Sequence, residues 1–208
     1  DVTDAGAVDA LAAATLERFG RVDVVCNNAG VVEPAAPSWE QGLDVWRWTL
    51  DVALLGVVHG IRAFVPLLIA RGSGHVLNTA SVGGLIPLPM HGPYNAAKHA
   101  VVGLTETLRA ELRSAAPDIG ATVLCPGMVA TSLAESSWVN RPDGVPGDSE
   151  PPASIAETMS GYAGLLAPGD VAAAALAGIE ADRLHVIVGG DSVPVIRARL
   201  DSVAADLP

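Results

Sequence analysis

Tyr94 and Lys98 stand four residues apart in Tyr94-Asn95-Ala96-Ala97-Lys98, a spacing that puts a phenol and an ammonium on one face of a helix. A free tyrosine, with a pKa of ~10, is a poor proton-transfer group at neutral pH. A neighbouring cation stabilises the phenolate and brings it towards working pH. Such a pair is ordinarily a surface accident. Here the chain has one lysine and two tyrosines, Tyr94 and Tyr162, so chance placement at this offset is rare. Ser81 lies upstream, at the carboxyl end of a predicted strand His75–Thr79. Ligands of open α/β sheets bind at that end of the strands. A lone loop serine is ordinarily structural. Beside a phenol and an ammonium, its hydroxyl can donate to a substrate oxygen.

The elements that must position these groups alternate in type. Residues 4–19 read as a helix with Val8, Leu11, Ala12, Leu16 and Phe19 on one face, and Gly20 fits its stop. Val22–Cys26 reads as a short apolar strand ending in Asn27-Asn28-Ala29-Gly30. Ser38 followed by Gln41 has the form of a capping box for a long helix to about Ala70, kinked or ended near Pro66. A glycine-rich loop over 83–92 leads to a helix from Pro93 to Ser114. The strand Ala121–Leu124 then closes on Cys125-Pro126-Gly127. Residues 132–168 break the alternation, and the Pro- and Gly-rich Arg141–Pro152 reads as a mobile loop. A helix at Asp170–Ala181, a strand at Leu184–Val188 and an amphipathic piece at Val193–Val203 complete the chain. Strands alternating with helices imply one α/β domain over 1–208, a doubly wound parallel sheet in three α/β/α layers, and strands apolar throughout suit a sheet covered on both faces.

Composition narrows the function classes. The chain has 208 residues, half of them apolar and 17% charged, which excludes a disordered chain. A net charge of −11 disfavours a nucleic-acid partner, which calls for a basic face. The longest uninterrupted apolar run is Ala63–Ala70, too short to cross a bilayer. No signal-like segment opens the chain. Two cysteines, Cys26 and Cys125, fit a reducing, cytoplasmic setting. They fall on strands separated by one other, too far apart to bridge, and read as buried thiols. The five histidines show no zinc-ligand spacing, so no metal is expected.

Four segments together resemble the short-chain dehydrogenase/reductase family, NAD(P)-dependent enzymes of Rossmann type. They are Asn27-Asn28-Ala29-Gly30, Asn78-Thr79-Ala80-Ser81, Tyr94-Asn95-Ala96-Ala97-Lys98 and Pro126-Gly127-Met128-Val129-Ala130-Thr131, in the family's order and spacing. The resemblance implies hydride transfer between NAD or NADP and a carbonyl/alcohol pair. Tyr94 would be the general acid/base, Lys98 would lower its pKa and hold the nicotinamide ribose, and Ser81 would orient the substrate oxygen. Asn27, Ala29 and Gly30 would line the cofactor, Val129 and Thr131 would meet its carboxamide, and Asp1-Val2 would lie beside the adenine. The long helix and the Tyr94 helix would join copies into a homodimer or homotetramer.

Two departures stand out. The family opens on a strand, a glycine-rich turn and a helix that takes the pyrophosphate. This sequence opens on Asp1-Val2-Thr3-Asp4, which resembles the end of the family's third strand, so the resemblance implies an N-terminally truncated domain. A catalytically silent binding or scaffold protein is therefore the competing reading. Second, Ala53 stands where the family usually has an asparagine that holds a proton-relay water. Around the site, Leu85, Ile86, Leu88 and Met90, with Trp138 and Tyr162 in the 132–168 substrate loop, imply an apolar pocket for a ketone or secondary alcohol. Arg141 is the one candidate anion clamp, and His91 borders the Tyr94 segment. Trp39, Trp46 and Trp48 read as packing or interface residues of the long helix.

Overall fold

A computed structural model describes residues 1–147, 152–159 and 161–208. The elements run α1 (Ala5–Phe19), β1 (Val24–Asn27), α2 (Leu43–Leu50), α3 (Gly56–Arg71), β2 (Gly74–Thr79), α4 (Gly92–Ala115) and β3 (Ile119–Pro126). The last five are α5 (Leu133–Val139), α6 (Ile155–Thr158), α7 (Pro168–Glu180), β4 (His185–Val188) and α8 (Val193–Ala205). The strands form one sheet in the order β1-β2-β3-β4, with every neighbour parallel. This is the expected three-layer, Rossmann-type architecture.

Alternation along the strands divides the core. Val25, Val76 and Ala121 sit side by side on one face and pack with α1, α3 and α4 through Val8, Phe64, Leu68 and Leu108. Leu77, Leu124 and Val186 turn the other way, against Val171 of α7. The chain steps across the sheet in one direction throughout, yet α3 and α4 cross on one face and α7 on the other. The β3–β4 crossover therefore has the opposite hand to the two before it, an uncommon arrangement. Cys26 points to the α7 side at the β1 edge and is exposed, which corrects the buried-thiol reading. Helix α7 packs on β2, β3 and β4. Cys125, on β3, is fully buried.

The first helix behaves as its sequence dictates. The Asp4 carboxylate accepts from the Gly6 and Ala7 amides, and Gly20 closes it in the left-handed region. The next helix begins later than expected. Ser38 and Gln41 lie in a turn, the helix opens at Leu43 after Gly42, and Gln41 donates to the Pro34 carbonyl instead. Trp39 consequently stands outside the helix, exposed, while Trp48 is buried. Pro66 does not end α3, which runs on to Arg71. The irregularity sits at Asp51–Leu55, a π-helical turn joining α2 to α3 with Ala53 buried inside it. Taken as one unit, Leu43–Arg71 is long and apolar enough to cross a bilayer by length and mean hydropathy (2.1). Counting uninterrupted runs misses this property. Here the helix lays Val57, Gly60, Phe64 and Leu68 into the protein interior.

The stretch 132–168 holds two short helices, α5 and α6, the latter opened by a Ser154/Glu157 capping box. Of the expected mobile loop Arg141–Pro152, residues 148–151 lie outside the described residues. Within the described part, Val145 is buried against Val31, Val45 and Trp48.

Candidate active site

Three of the expected residues meet at the carboxyl ends of β2 and β3. Ser81 ends the β2 segment and caps a 3-10 turn, its Oγ accepting from the Gly83 amide at 3.1 Å. That hydroxyl and the Tyr94 ring both flank Gly83, where a Cβ would stand 3.5 Å and 3.6 Å from them, and the hydroxyl lies 3.5 Å from the Pro126 carbonyl. One turn on from Tyr94, the Lys98 Nζ sits 5.6 Å from the phenol ring centre and donates to the Thr79 carbonyl at 2.9 Å. Helix α4 comes close to the glycine loop because Gly84 lacks a side chain: a Cβ there would fall 2.6 Å from the Lys98 carbonyl oxygen. Asn95 ties the two together, its Nδ2 donating to the Gly83 and Ile86 carbonyls.

The electrostatics differ from the expectation of a depressed phenol. Burial raises the Tyr94 pKa first of all, the Ser81 hydroxyl pulls it down, and the Glu33 and Cys125 charges push it up. Burial brings Lys98 down to about 8. Removing an ammonium from water costs more than this site returns to it. Under both groups lies the Cys125 thiol, pushed up to about 12 chiefly by burial.

The residues expected at a cofactor fall into three places. Val2, Asn27 and Ala29 line a cavity of about 330 Å³ between α1, β1 and α3. Ser81, Tyr94 and Lys98 are not among its walls. The Asn27 amide is engaged inward, donating to Asn78 Oδ1 at 2.8 Å above Gly60 of α3. Asp1 accepts from the Thr3 amide and hydroxyl, and the Val2 carbonyl contacts His59 Nδ1 at 2.8 Å. Gly30 lies beside the lysine, where a Cβ would stand 3.5 Å from Nζ. Val129 bridges to Leu166 after β3, and the Thr131 hydroxyl faces the Leu133 amide at 3.4 Å. The small turn at Ala29-Gly30, the buried Lys98 amine and the polar Thr131 fit the nicotinamide-ribose half of a dinucleotide. Among the described residues no group of three or more His, Cys, Asp or Glu gathers as metal ligands would.

On the substrate side, Leu88 reaches towards Gly83, and Met90 adopts a positive φ of 72°. Arg141 stacks its guanidinium over Trp138 at 5.8 Å. The Tyr162 hydroxyl is bonded to Asp191, beyond β4. Sequence reasoning passed over Glu33, a carboxylate with its side chain fully enclosed next to Tyr94. Its sequence signal is a lone charge within the stretch Ala29–Pro37.

A parallel α/β/α sheet with a serine, a tyrosine and a lysine converging at its carboxyl edge defines a Rossmann-type protein with polar side chains gathered at the ligand-binding end of its strands. Comparison with known proteins narrows the class. The family model for short chain dehydrogenases matches residues 1–141. SadH of Mycobacterium tuberculosis is 36% identical over 189 residues, 91% of this chain and 66% of its own length. The 1-deoxy-11-beta-hydroxypentalenate dehydrogenase of Streptomyces arenae is 34% identical over 214 residues, 100% of this chain and 69% of its own. A short-chain dehydrogenase/reductase of Burkholderia phymatum, solved in complex with NAD, superposes with a TM-score of 0.87 at 35% identity. That match covers 100% of this chain and 75% of the other. The chain belongs to the short-chain dehydrogenase family, and spans about two thirds of the curated relatives' length.

Proposed function

We propose that this chain carries the proton-transfer centre of an oxidoreductase that moves a hydride between NAD(P) and a ketone or secondary alcohol. The observation behind this reading is the meeting of Ser81, Tyr94 and Lys98 at one point of the sheet edge. Bound NAD(P) supplies or accepts the hydride. The Ser81 hydroxyl holds the substrate oxygen near the phenol, and Tyr94 gives that oxygen a proton in reduction or takes one in oxidation. Lys98, held by the Thr79 carbonyl, places its charge beside the phenol and offers donors to the ribose hydroxyls, with Gly30 leaving room. Asn27, Ala29, Val129 and Thr131 would border the cofactor, with Val2 in the wall of the β1 cavity and Asp1 preceding it beside the adenine. The NAD complex of the Burkholderia relative supports this class of cofactor.

With Ala53 in the π-turn, no side chain at that position relays a proton to Lys98. Residues 132–168 serve as the substrate loop of a single 1–208 domain. The apolar side chains Leu85, Ile86 and Leu88 favour a medium-sized apolar substrate. The exposed Leu55 and Ile69 along the long helix support a homodimer or homotetramer joined through that face. Two unpaired cysteines and the composition support a cytoplasmic setting.

The test is nicotinamide oxidation or reduction with a panel of apolar ketones and secondary alcohols, in parent and Tyr94→Phe forms of the protein. Turnover that falls by about 10²-fold or more in the variant is expected. Turnover that survives Tyr94→Phe, or is confined to acidic or phosphorylated substrates, overturns the reading.

A further inference from the structure

Glu33 is the only buried carboxylate among the described residues, 2% exposed, and burying a charge is costly unless it is paired. Its Oε1 accepts the Tyr94 backbone amide at 3.3 Å, in the first turn of α4, where the helix dipole favours a negative group. His91 Nδ1 lies 3.7 Å from the same oxygen. Glu33 Oε2 and His91 Nδ1 are without hydrogen-bond partners. The loop bearing Glu33 is itself held at both ends. The Ala36 amide donates to the Met90 carbonyl at 2.9 Å, and the Val32 amide donates to Ser137 Oγ of α5 at 3.0 Å.

We propose that Glu33 is a positioning residue for Tyr94, anchoring the first turn of α4 through the Tyr94 amide and setting a negative charge against the phenol. This rests on reading Tyr94 as the proton-transfer group. Four elements bring groups to the phenol: Ser81 from the end of β2, Cys125 from β3, Lys98 from α4 itself and Glu33 from the β1–α2 loop. His91 is the titratable side chain that faces Glu33 in turn. A carboxylate beside a phenol disfavours the phenolate, in keeping with the raised Tyr94 pKa, to which Glu33 contributes after burial. Glu33 thus holds the first turn of the helix in place and adds its charge to the burial that favours the protonated phenol.

The chain has two tyrosines, so a Tyr162→Phe background leaves Tyr94 as the sole phenol for alkaline titration by phenolate absorbance. Glu33→Gln keeps the acceptor and removes the charge. The expected result is a phenolate midpoint shifted to lower pH, with the Tyr94 amide still protected in hydrogen exchange. Glu33→Ala is expected to shift the midpoint the same way and to lose the amide protection. An unchanged midpoint in Glu33→Gln, or unchanged protection in Glu33→Ala, overturns the proposal. A second measurement leaves Glu33 intact and follows the Tyr94 amide resonance in tyrosine-labelled Tyr162→Phe protein during acid titration. The resonance is expected to move on acidification as the bond from the Tyr94 amide to the Glu33 carboxylate changes, and a resonance that does not move overturns the proposal even where the variants fail to fold. None of these readouts needs turnover, so they are decided separately from the loss of activity in Tyr94→Phe.

Discussion

Lys98 should weaken the fold it serves. Its side chain is 3% exposed, its ammonium donates to the Thr79 carbonyl at 2.9 Å, and burial brings it from 10.5 to about 8. At ~1.4 kcal/mol per pKa unit, holding it charged at pH 7 costs about 3 kcal/mol. Lys98→Met removes that charge, keeps an unbranched apolar stem, and forfeits the Thr79 hydrogen bond, worth about 1–2 kcal/mol. The variant should therefore be more stable than the parent by about 1–2 kcal/mol at pH 7. The sign follows from proton counts. Between about pH 8 and 10.5 the unfolded lysine is protonated and the folded one is not, so the parent gains stability as pH rises. The variant's advantage should shrink across that window and reverse near its top, where only the lost hydrogen bond remains. Urea unfolding of both proteins, followed by tryptophan fluorescence at several pH values, measures this difference. Tyr94 and Cys125 also ionise abnormally, but they are present in both proteins and largely cancel in the subtraction. A variant less stable at pH 7, or a difference flat with pH, would refute the reasoning.

Other consequences are simpler. Gly84→Ala pushes a Cβ against the Lys98 carbonyl; thermal unfolding should show a loss of about 1–3 kcal/mol. Displacing Tyr94 and Lys98 in this way should also cut kcat/KM by about 10²-fold in steady-state kinetics. His75 is buried with its Nε2 2.7 Å from the Thr122 hydroxyl, and burial lowers its pKa from 6.5. The folded state resists that proton, so stability should fall as pH drops through about 6.5, and His75→Gln should lessen the drop in Tm. Asp182 grips the buried Arg109 through both carboxylate oxygens. Asp182→Ala leaves that guanidinium short of partners and should cost about 2 kcal/mol by chemical denaturation.

Much of this architecture was legible because local and tertiary demands agree. The strand centres at Val25, Val76, Val123 and Val186 are apolar for the reason that helices cover them, and Asp4 and Gly20 bracket α1 by local chemistry alone. Ser81, Tyr94 and Lys98 were visible as types at spacings, and the fold brings them together. Other features depend on contacts distant in sequence. Gln41 left its expected cap because the Pro34 carbonyl was within reach. Periodicity cannot say which sheet face a helix covers, so the position of α7 and the exposure of Cys26 were out of view. The phenol's environment lies beyond local spacing for the same reason. Spacing showed the cation at Lys98, whereas burial and the Glu33 carboxylate come from the packing of a separate loop.

The two thiols give this protein an internal clock. Cys26 lies open at the sheet edge while Cys125 is sealed beneath Ser81 and Lys98. A thiol reagent that labels Cys26 at once reaches Cys125 only when α4 lifts from β3. The ratio of the two labelling rates therefore reports how often, and at what free energy, the floor of the Ser81–Tyr94–Lys98 site opens while the remaining chain stays folded.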